Sequence, residues 1–251
     1  MSGVLQKGAL ISFLPSSAIG APSSPNIIVF QFNPETITHA WTEAASPPPP
    51  QPKPNEPPVH VSALAVTGNP GESFSFTLML DSDEQISDVS TDPVGAGLAV
   101  LSGVYTRLAA LELMQFPSPP PDAGLVGGVS AAASAAAQGA SAGDSSSQAV
   151  PVSQVPVVLF IWGPMRIVPV RVTAFSVNEK LFDELLNPTH AEATITLSVL
   201  TPQDLADVPS PMGGIASAAY SYTQGLRQVQ AIANLAESAA SIIGMLPTSF
   251  L

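Results

Sequence analysis

The chain has 251 residues, of which 45% are hydrophobic and only 10% are charged, so it can bury a sizeable core but carries few surface charges. Its formal net charge is -12, and its seven Lys and Arg residues are spread along the chain, which excludes the clustered cations that nucleic acid or an anionic membrane surface would need. It contains no cysteine, which excludes disulfides, thiolate nucleophiles and cysteine-based metal sites.

Two apolar segments near the N-terminus predict a β-hairpin. Residues 9–13 and 26–32 read as strands, and a connection rich in Ser, Pro and Gly joins them. Ile28, Phe30 and Phe32 occupy alternate positions of the second strand, so we assign their shared face to the core. The strand then stops at an Asn-Pro step, because proline has no N–H with which to continue a ladder.

The same N-terminal apolar run superficially resembles a short signal peptide. It is short and is interrupted by Pro15, so we favour the strand interpretation. Elsewhere Arg166 and Arg171 interrupt the most apolar window, so no segment reaches the ~20 apolar residues that a membrane span needs. Direct insertion into a membrane is therefore not predicted.

Two segments of biased composition interrupt the predicted domain. Eight of the thirteen residues at 46–58 are proline, which favours an extended spacer or a loop insertion. Residues 117–154 are rich in Ala, Ser, Gly and Pro and almost without charge, so they cannot bury enough apolar surface to offset the entropy of ordering. We interpret this second insertion as disordered or ordered by a partner.

The central part of the chain predicts a half-buried strand followed by a helix. Residues 73–80 alternate between polar and apolar side chains, which is the period of a strand with one buried face. After an acidic stretch at 81–84, apolar residues recur at helical spacing within residues 94–114. We predict a single helix there, whose apolar face covers the sheet.

The second half of the predicted core is a three-stranded antiparallel meander. Residues 157–162 are apolar on both faces, as in a central strand, and a Gly-Pro turn leads into a second strand at 166–177. Pro169 predicts an edge position or a β-bulge for that second strand, because proline lacks a donor. An Asn-Pro turn precedes the third strand at 190–199, whose alternate apolar residues should face the core.

These elements predict an α+β fold. Residues 1–203 should form a mainly antiparallel β-sheet or barrel-like domain with one packed helix and the two insertions, and residues 204–251 should form a helical tail. In the tail, apolar residues recur on one helical stripe that includes Tyr222, Leu226 and Val229. This amphipathic helix can dock on a neighbouring protein or pack on its own sheet, and the sequence does not distinguish the two.

No residue pattern predicts a catalytic, cofactor-binding or metal site. The acidic residues Asp81, Asp83, Glu84, Asp88 and Asp92 lack the central glycine and the terminal glutamate of a calcium-binding loop, so we interpret them as a solvated loop near a helix N-terminus. The three histidines stand apart, outside any metal-ligand or catalytic spacing. A hydrolase with a spatial Ser, His and Asp site stays open if a histidine lies beside a serine in a pocket.

Phe160 and Trp162 share a face of the first meander strand, and Trp162 directly precedes the turn at Gly163. Two interpretations stay open for this pair, since they can be core residues or an aromatic anchor for a protein contact. The candidate interface or motif residues of the whole chain are Phe30, Phe32, Asn33, Pro34, Phe160, Trp162, Gly163, Tyr222, Leu226 and Val229.

The order of these motifs resembles one known family. The chain has a strand that ends in Phe32-Asn33-Pro34, then an alternating strand at 73–78 followed by an acidic stretch and a helix. A strand at 156–163 then leads into two more strands. This series is similar to the tube and baseplate protein family of contractile injection systems, which looks like the inner-baseplate proteins of contractile phage tails. The resemblance covers most of residues 4–203 outside the two insertions.

The resemblance implies a non-catalytic structural subunit that joins the central tube and the spike hub to the surrounding baseplate and sheath. The implied partners are tube, spike or hub, baseplate wedge and sheath proteins, together with further copies of this chain in a six-fold ring. No cofactor and no nucleic acid is implied. Many relatives carry a C-terminal LysM module that binds peptidoglycan, and this chain has only the helical tail after Thr201.

The location that the resemblance implies is a cytoplasmic assembly within a phage-tail-like particle, which can be released or docked at a membrane. One alternative of a different class stays open. The proline-rich segment is also compatible with a secreted or surface-displayed binding module that has proline-rich linkers. In that case the chain would be a free monomer with a cleaved N-terminus.

Overall fold

The computed structural model describes residues 6–13, 25–47, 62, 64–87, 93–116, 155–208 and 211–245. The whole insertion at 117–154 and all but the first two residues of the insertion at 46–58 lie outside these ranges. Asp88, Asp92 and His60 lie outside them as well.

In the described part of the chain, seven strands form one antiparallel sheet. They are β1 (Ala9–Phe13), β2 (Pro25–Val29), β3 (Ile37–Thr42), β4 (Gly71–Asp81), β5 (Val158–Ile161), β6 (Ile167–Phe182) and β7 (Pro188–Val199). Their order across the sheet is β2-β1-β5-β6-β7-β4-β3. The predicted β1–β2 hairpin and the predicted β5–β6–β7 meander are both confirmed by this pairing.

The sheet curls strongly around an aromatic core. β5 and β4 are three strands apart, which would separate them by about 14 Å in a flat sheet. Phe160 of β5 and Phe76 of β4 nevertheless stack with their ring centroids 5.4 Å apart. Phe74 contacts Phe160 and Phe30 contacts Phe76 at similar distances. These rings therefore fill the inside of the curl, and the predicted buried face of β4 is confirmed.

The curled sheet stays open and does not close into a barrel. Gln31, which follows β2, reaches the end of β4 on the other side of the gap. Its side-chain nitrogen donates to the Asp81 carbonyl at 2.7 Å, and its side-chain oxygen accepts the Asp81 N–H at 2.8 Å. One amide side chain thus replaces a pair of ladder hydrogen bonds. The prediction of a mainly antiparallel α+β fold is confirmed. Of the two predicted forms, a sheet or a barrel-like domain, the structure has the open sheet.

Within the described ranges, the helices are α1 (Ser82–Ser87), α2 (Pro93–Ser102), α3 (Tyr105–Glu112) and α4 (Met212–Met245). The prediction of a single helix at 94–114 is wrong. Gly103 has a left-handed φ of 56° and ends α2 before α3 begins. Leu108 and Leu111 of α3 are buried, whereas Leu101 of α2 is exposed. None of the described helices is both long and apolar enough to cross a membrane.

Two further predictions differ from the structure. Phe32 is not a core residue, because β2 ends three residues earlier and the side chain is 44% exposed. Of the two alternatives that Pro169 predicts for β6, the edge position is wrong, since β5 and β7 pair with its two sides, whereas a bulge-like irregularity is present in the strand. Pro169 is tolerated because it lies just before the β6–β7 ladder, which begins at Val170, and a register shift interrupts that ladder between Val172 and Ala174.

Candidate interaction surfaces

Asn33 holds the chain that leads into β1. Its side-chain oxygen accepts a hydrogen bond from the Gly8 N–H at 2.9 Å, and its side-chain nitrogen donates to the Gln6 carbonyl at 2.9 Å. Two main-chain groups outside the strands are satisfied in this way. Asn33 and Pro34 are half-buried. Asn33 therefore holds the segment before β1 against the segment that follows β2.

The aromatic motif residues divide between core and surface. Phe30 and Phe160 are almost completely buried. Trp162 is half-buried and lies over both of them, with ring centroids 6.3 and 6.4 Å away. Gly163 follows with a φ of 68°, a conformation that glycine adopts readily in a tight turn. The core interpretation fits Phe160, whereas Phe32 is exposed and Trp162 is only half-buried, so these two are open to contacts.

The first half of α4 packs on its own sheet. The Thr223 hydroxyl donates to the Ile167 carbonyl at 2.6 Å and accepts the Ile167 N–H at 3.1 Å. The Tyr222 hydroxyl donates to the Pro164 carbonyl at 2.9 Å. Ala216 and Thr223 are buried in this contact. Of the two docking modes that the sequence leaves open, this half of the helix adopts packing on its own sheet.

A buried carboxylate joins α4 to the outer strands. Glu72 of β4 is 5% exposed and accepts two hydrogen bonds from the Arg227 guanidinium of α4, one from Nη1 to Oε2 at 3.0 Å and one from Nη2 to Oε1. His39 Nε2 lies 2.8 Å from Oε1. Arg227 also lies over the Trp41 ring, and His39 stacks on Phe74. The bidentate pairing compensates for the cost of burying the carboxylate.

A second arginine lies close to this pair without a carboxylate of its own. The Arg166 guanidinium lies over the Phe74 ring, 5.1 Å from its centroid. Burial and repulsion by Arg227 lower the pKa of Arg166, and the Glu72 charge acts in the opposite direction. None of the ion pairs among the described residues includes Arg166. Two arginines therefore lie close to one buried carboxylate at this end of the sheet, and only Arg227 is paired with it.

One side of α4 carries an exposed apolar surface. Tyr222, Leu226 and Val229 follow one another at helical spacing and flank the docked face of the helix. Tyr222 is exposed and Leu226 is half-buried. Val229, Ile232 and Leu235 are each more than 60% exposed and continue the apolar surface along the helix. We call these five residues the helix stripe.

The end of β6 and its connection to β7 also display apolar side chains to solvent. Leu181, Phe182, Leu185 and Leu186 are 55–76% exposed. We call these four residues the hairpin knob. Isolated apolar residues are common at protein surfaces, but a group of this size in one tight connection is typical of an interaction site.

Asp183 holds the knob in a strained conformation. Its carboxylate accepts hydrogen bonds from the Asn187 side chain, the Asn187 N–H and the Leu185 N–H at 2.8–2.9 Å. The hydrogen bonds from Asn187, above all that from its side chain, lower the pKa of Asp183. Leu181 and Leu186 have φ values of 52° and 65°, a region that bulky residues rarely enter. Strain of this kind persists only where surrounding contacts enforce it, and it is often found at functional sites.

The acidic residues and histidines that the sequence singles out form separate pairs. His190 Nε2 lies 2.9 Å from an oxygen of Asp81, whose other oxygen accepts the Asp83 N–H. The hydroxyl beside His190 belongs to Thr189, and it donates to the Leu181 carbonyl at 2.9 Å. These contacts brace the ends of β4 and β6 and the start of β7. In the part of the chain that the structure describes, no three His, Asp or Glu side chains come together as a candidate metal site.

Sequence reasoning missed the knob and the Glu72–Arg227 bridge. The knob has a local signal, because four large apolar residues stand in the six positions before the second Asn-Pro turn, where polar residues are usual. The bridge has none, since its partners are 155 positions apart.

Comparison with known proteins adds no assignment. No model of a protein family matches this chain, and no curated protein is significantly similar to it in sequence. The exposed knob and the helix stripe are therefore the features of the structure that bear most directly on function.

Proposed function

We propose that the protein is a structural, non-catalytic subunit of the baseplate of a phage-tail-like contractile injection system. In this role it connects the inner tube and the spike hub to the surrounding baseplate wedge and sheath through protein contacts. The observation that carries the proposal is the exposed apolar surface of the knob and the stripe, in a chain of which only 10% is charged. Such surfaces are favourable in water only when partners cover them.

The motifs that resemble the tube and baseplate family support the proposal in a more limited way. Asn33 clamps the approach to β1, the alternating residues of β4 line the core, and Gly163 turns β5 towards β6. Each of these residues has a role in folding. The order of the motifs along the chain is therefore an argument for a domain related to that family, and not for assembly. The argument for assembly comes from the surfaces that folding leaves uncovered.

A subunit of this kind works by adhesion. The aromatic core and the long β6–β7 pair make a rigid body that can carry load between neighbours. In a closed six-fold ring, each copy would contact the next through the same pair of surfaces. Tube, hub, wedge and sheath proteins would cover other faces. The ring would form as a cytoplasmic assembly within the particle, which is then released or docked at a membrane.

The proposal is tested by tagging the chain at its C-terminus in the native host and pelleting large particles from lysate. Mass spectrometry and negative-stain imaging of the pellet should find sheath, tube and spike proteins with the tagged chain. In a control strain that lacks the tube gene, the tagged chain should leave the particle fraction. A soluble monomer without these companions, recovered from the culture medium, would contradict the proposal and support a secreted or surface-displayed binding module.

A further inference from the structure

The knob and the stripe lie at opposite ends of one strand. α4 bonds to Ile167, the first residue of β6, and the knob begins at Leu181 and Phe182, the last two. The 16 residues of β6 span about 50 Å at the usual rise of an extended strand. A knob therefore cannot reach the stripe of its own copy, so each surface needs another molecule to cover it.

The two surfaces are complementary in charge as well as apolar. Glu184 is exposed within the knob, and Asp183 adds a second carboxylate beside it. Arg227, which follows Leu226 of the stripe, is already paired with Glu72, whereas Arg166 close to it forms no ion pair among the described residues and supplies the positive charge on this side. Contact between an acidic and a basic surface is favoured over contact of either surface with its own kind.

We propose that the knob of one copy docks on the helix stripe of a second copy in a head-to-tail contact. The partner of each surface is then the other surface of the same chain. A heterologous contact of this type leaves one free knob and one free stripe on every growing oligomer until a ring closes. The inference rests on the proposed function, because it names a second copy as one partner within the same assembly.

The knob is preorganised for this contact. The Asp183 carboxylate already fixes the turn at Leu185 and Asn187, and the Leu186 N–H donates to the Asp183 carbonyl, so docking loses little further conformational entropy. The exposed apolar area of knob and stripe together is on the order of 1,000 Å², about the minimum for a specific interface. A single contact should therefore be weak, with a dissociation constant of roughly micromolar order, and closure of a ring would strengthen it.

The experiment uses the purified full chain and two double variants. The knob variant carries Leu185→Ser and Leu186→Ser, and the stripe variant carries Val229→Ser and Ile232→Ser. Sedimentation velocity is measured from about 1 to 200 μM, a range around the expected dissociation constant. The unmodified chain should associate with increasing concentration beyond a dimer, and each variant alone should stay monomeric. An equimolar mixture of the variants should form a dimer and nothing larger, because it retains one usable knob–stripe pair.

The matched control is Leu113→Ser directly after α3, which removes an exposed leucine outside both surfaces and should leave association unchanged. Unchanged thermal unfolding midpoints show that the variants are folded, as expected for substitutions at exposed positions. The inference is overturned by an unmodified chain that stays monomeric, by a variant that associates as strongly as the unmodified chain, or by a mixture that stays monomeric.

The two proposals fail in different experiments. If the tagged chain pellets with sheath and tube proteins while the purified chain stays monomeric, the head-to-tail contact is wrong and the baseplate function stands. If the purified chain shows the expected mixture behaviour but never enters a particle, the contact stands and the baseplate function is wrong.

Discussion

The bridge between Glu72 and Arg227 allows a quantitative test of how α4 is held on the sheet. Arg227→Met keeps an unbranched apolar stem but removes both hydrogen bonds to a carboxylate whose side chain is 3% exposed. Loss of one partner from a buried ion pair costs about 3–5 kcal/mol. Because the arginine itself is 27% exposed, we expect a smaller loss, about 2–3 kcal/mol of unfolding free energy.

Urea unfolding followed by circular dichroism measures this loss directly. In a chain of this size each kcal/mol lowers the thermal unfolding midpoint by roughly 2–4 °C, so the midpoint should fall by about 5–10 °C. Tryptophan fluorescence gives a local readout, because Trp41 lies under the Arg227 guanidinium. Its emission should change in the variant even under conditions where the chain stays folded.

A second variant separates pairing from simple loss of contacts. In the double variant Glu72→Met with Arg227→Met, no buried charge is left without its partner, so it should be more stable than Arg227→Met alone. Arg171→Met is the matched control, since Arg171 is exposed and forms no ion pair among the described residues, and its effect should stay within about 0.5 kcal/mol. The reasoning is refuted if Arg227→Met loses less than about 0.5 kcal/mol of unfolding free energy. It is also refuted if the loss in the double variant equals the sum of the losses in Glu72→Met and Arg227→Met.

Three further predictions concern single residues. Gly103→Ala should lower the unfolding free energy by more than about 1 kcal/mol, because its φ is positive and the new Cβ would collide with the Pro188 carbonyl. The control Gly97→Ala places its Cβ in open space and should be neutral or stabilising. Thermal unfolding compares the two variants. Thr223→Val should cost about 1–3 kcal/mol in urea unfolding, because both side-chain hydrogen bonds to β6 are lost, and unchanged stability would contradict this. The pKa of Asp183 is lowered from its ordinary value of 3.8, so its carboxylate stabilises the folded chain at pH values above 3.8. This contribution is lost as the pH falls below 3.8. Asp183→Asn should therefore reduce the fall in unfolding midpoint between about pH 4 and pH 2, and an unchanged fall would show that the hydrogen bonds of this carboxylate do not matter.

Most strands could be predicted because their patterns depend only on which faces are buried. The alternation in β4 and the continuous apolar run in β5 each identify a strand without reference to any distant residue. β3 escaped prediction because it is an edge strand whose residues are mostly exposed. The break between α2 and α3 escaped for a different reason, since the helical spacing continues through Gly103 while the backbone does not.

The sequence predicted which residues of the helical tail form one stripe, but not how that helix is oriented on the sheet. Helical spacing identifies Tyr222, Leu226 and Val229 as one stripe, and the structure leaves that stripe largely open. The same spacing cannot say which face of the helix meets the sheet, because an amphipathic pattern is equally suited to packing within the chain and between chains. Thr223 and Arg227 decide that question through hydrogen bonds to β6 and β4.

By itself the sequence determined that the chain has few charges, a mainly antiparallel sheet and an amphipathic tail. Only the tertiary structure brought Gln31 to Asp81, which are 50 positions apart, and Glu72 to Arg227, which are 155 apart. The first pairing depends on the curl of the sheet and the second on how α4 packs against it, and both are properties of the whole fold that no local pattern encodes. Only the structure shows that the knob is exposed. The sequence around an apolar residue in a turn is the same whether the rest of the chain covers that residue or leaves it open to a partner.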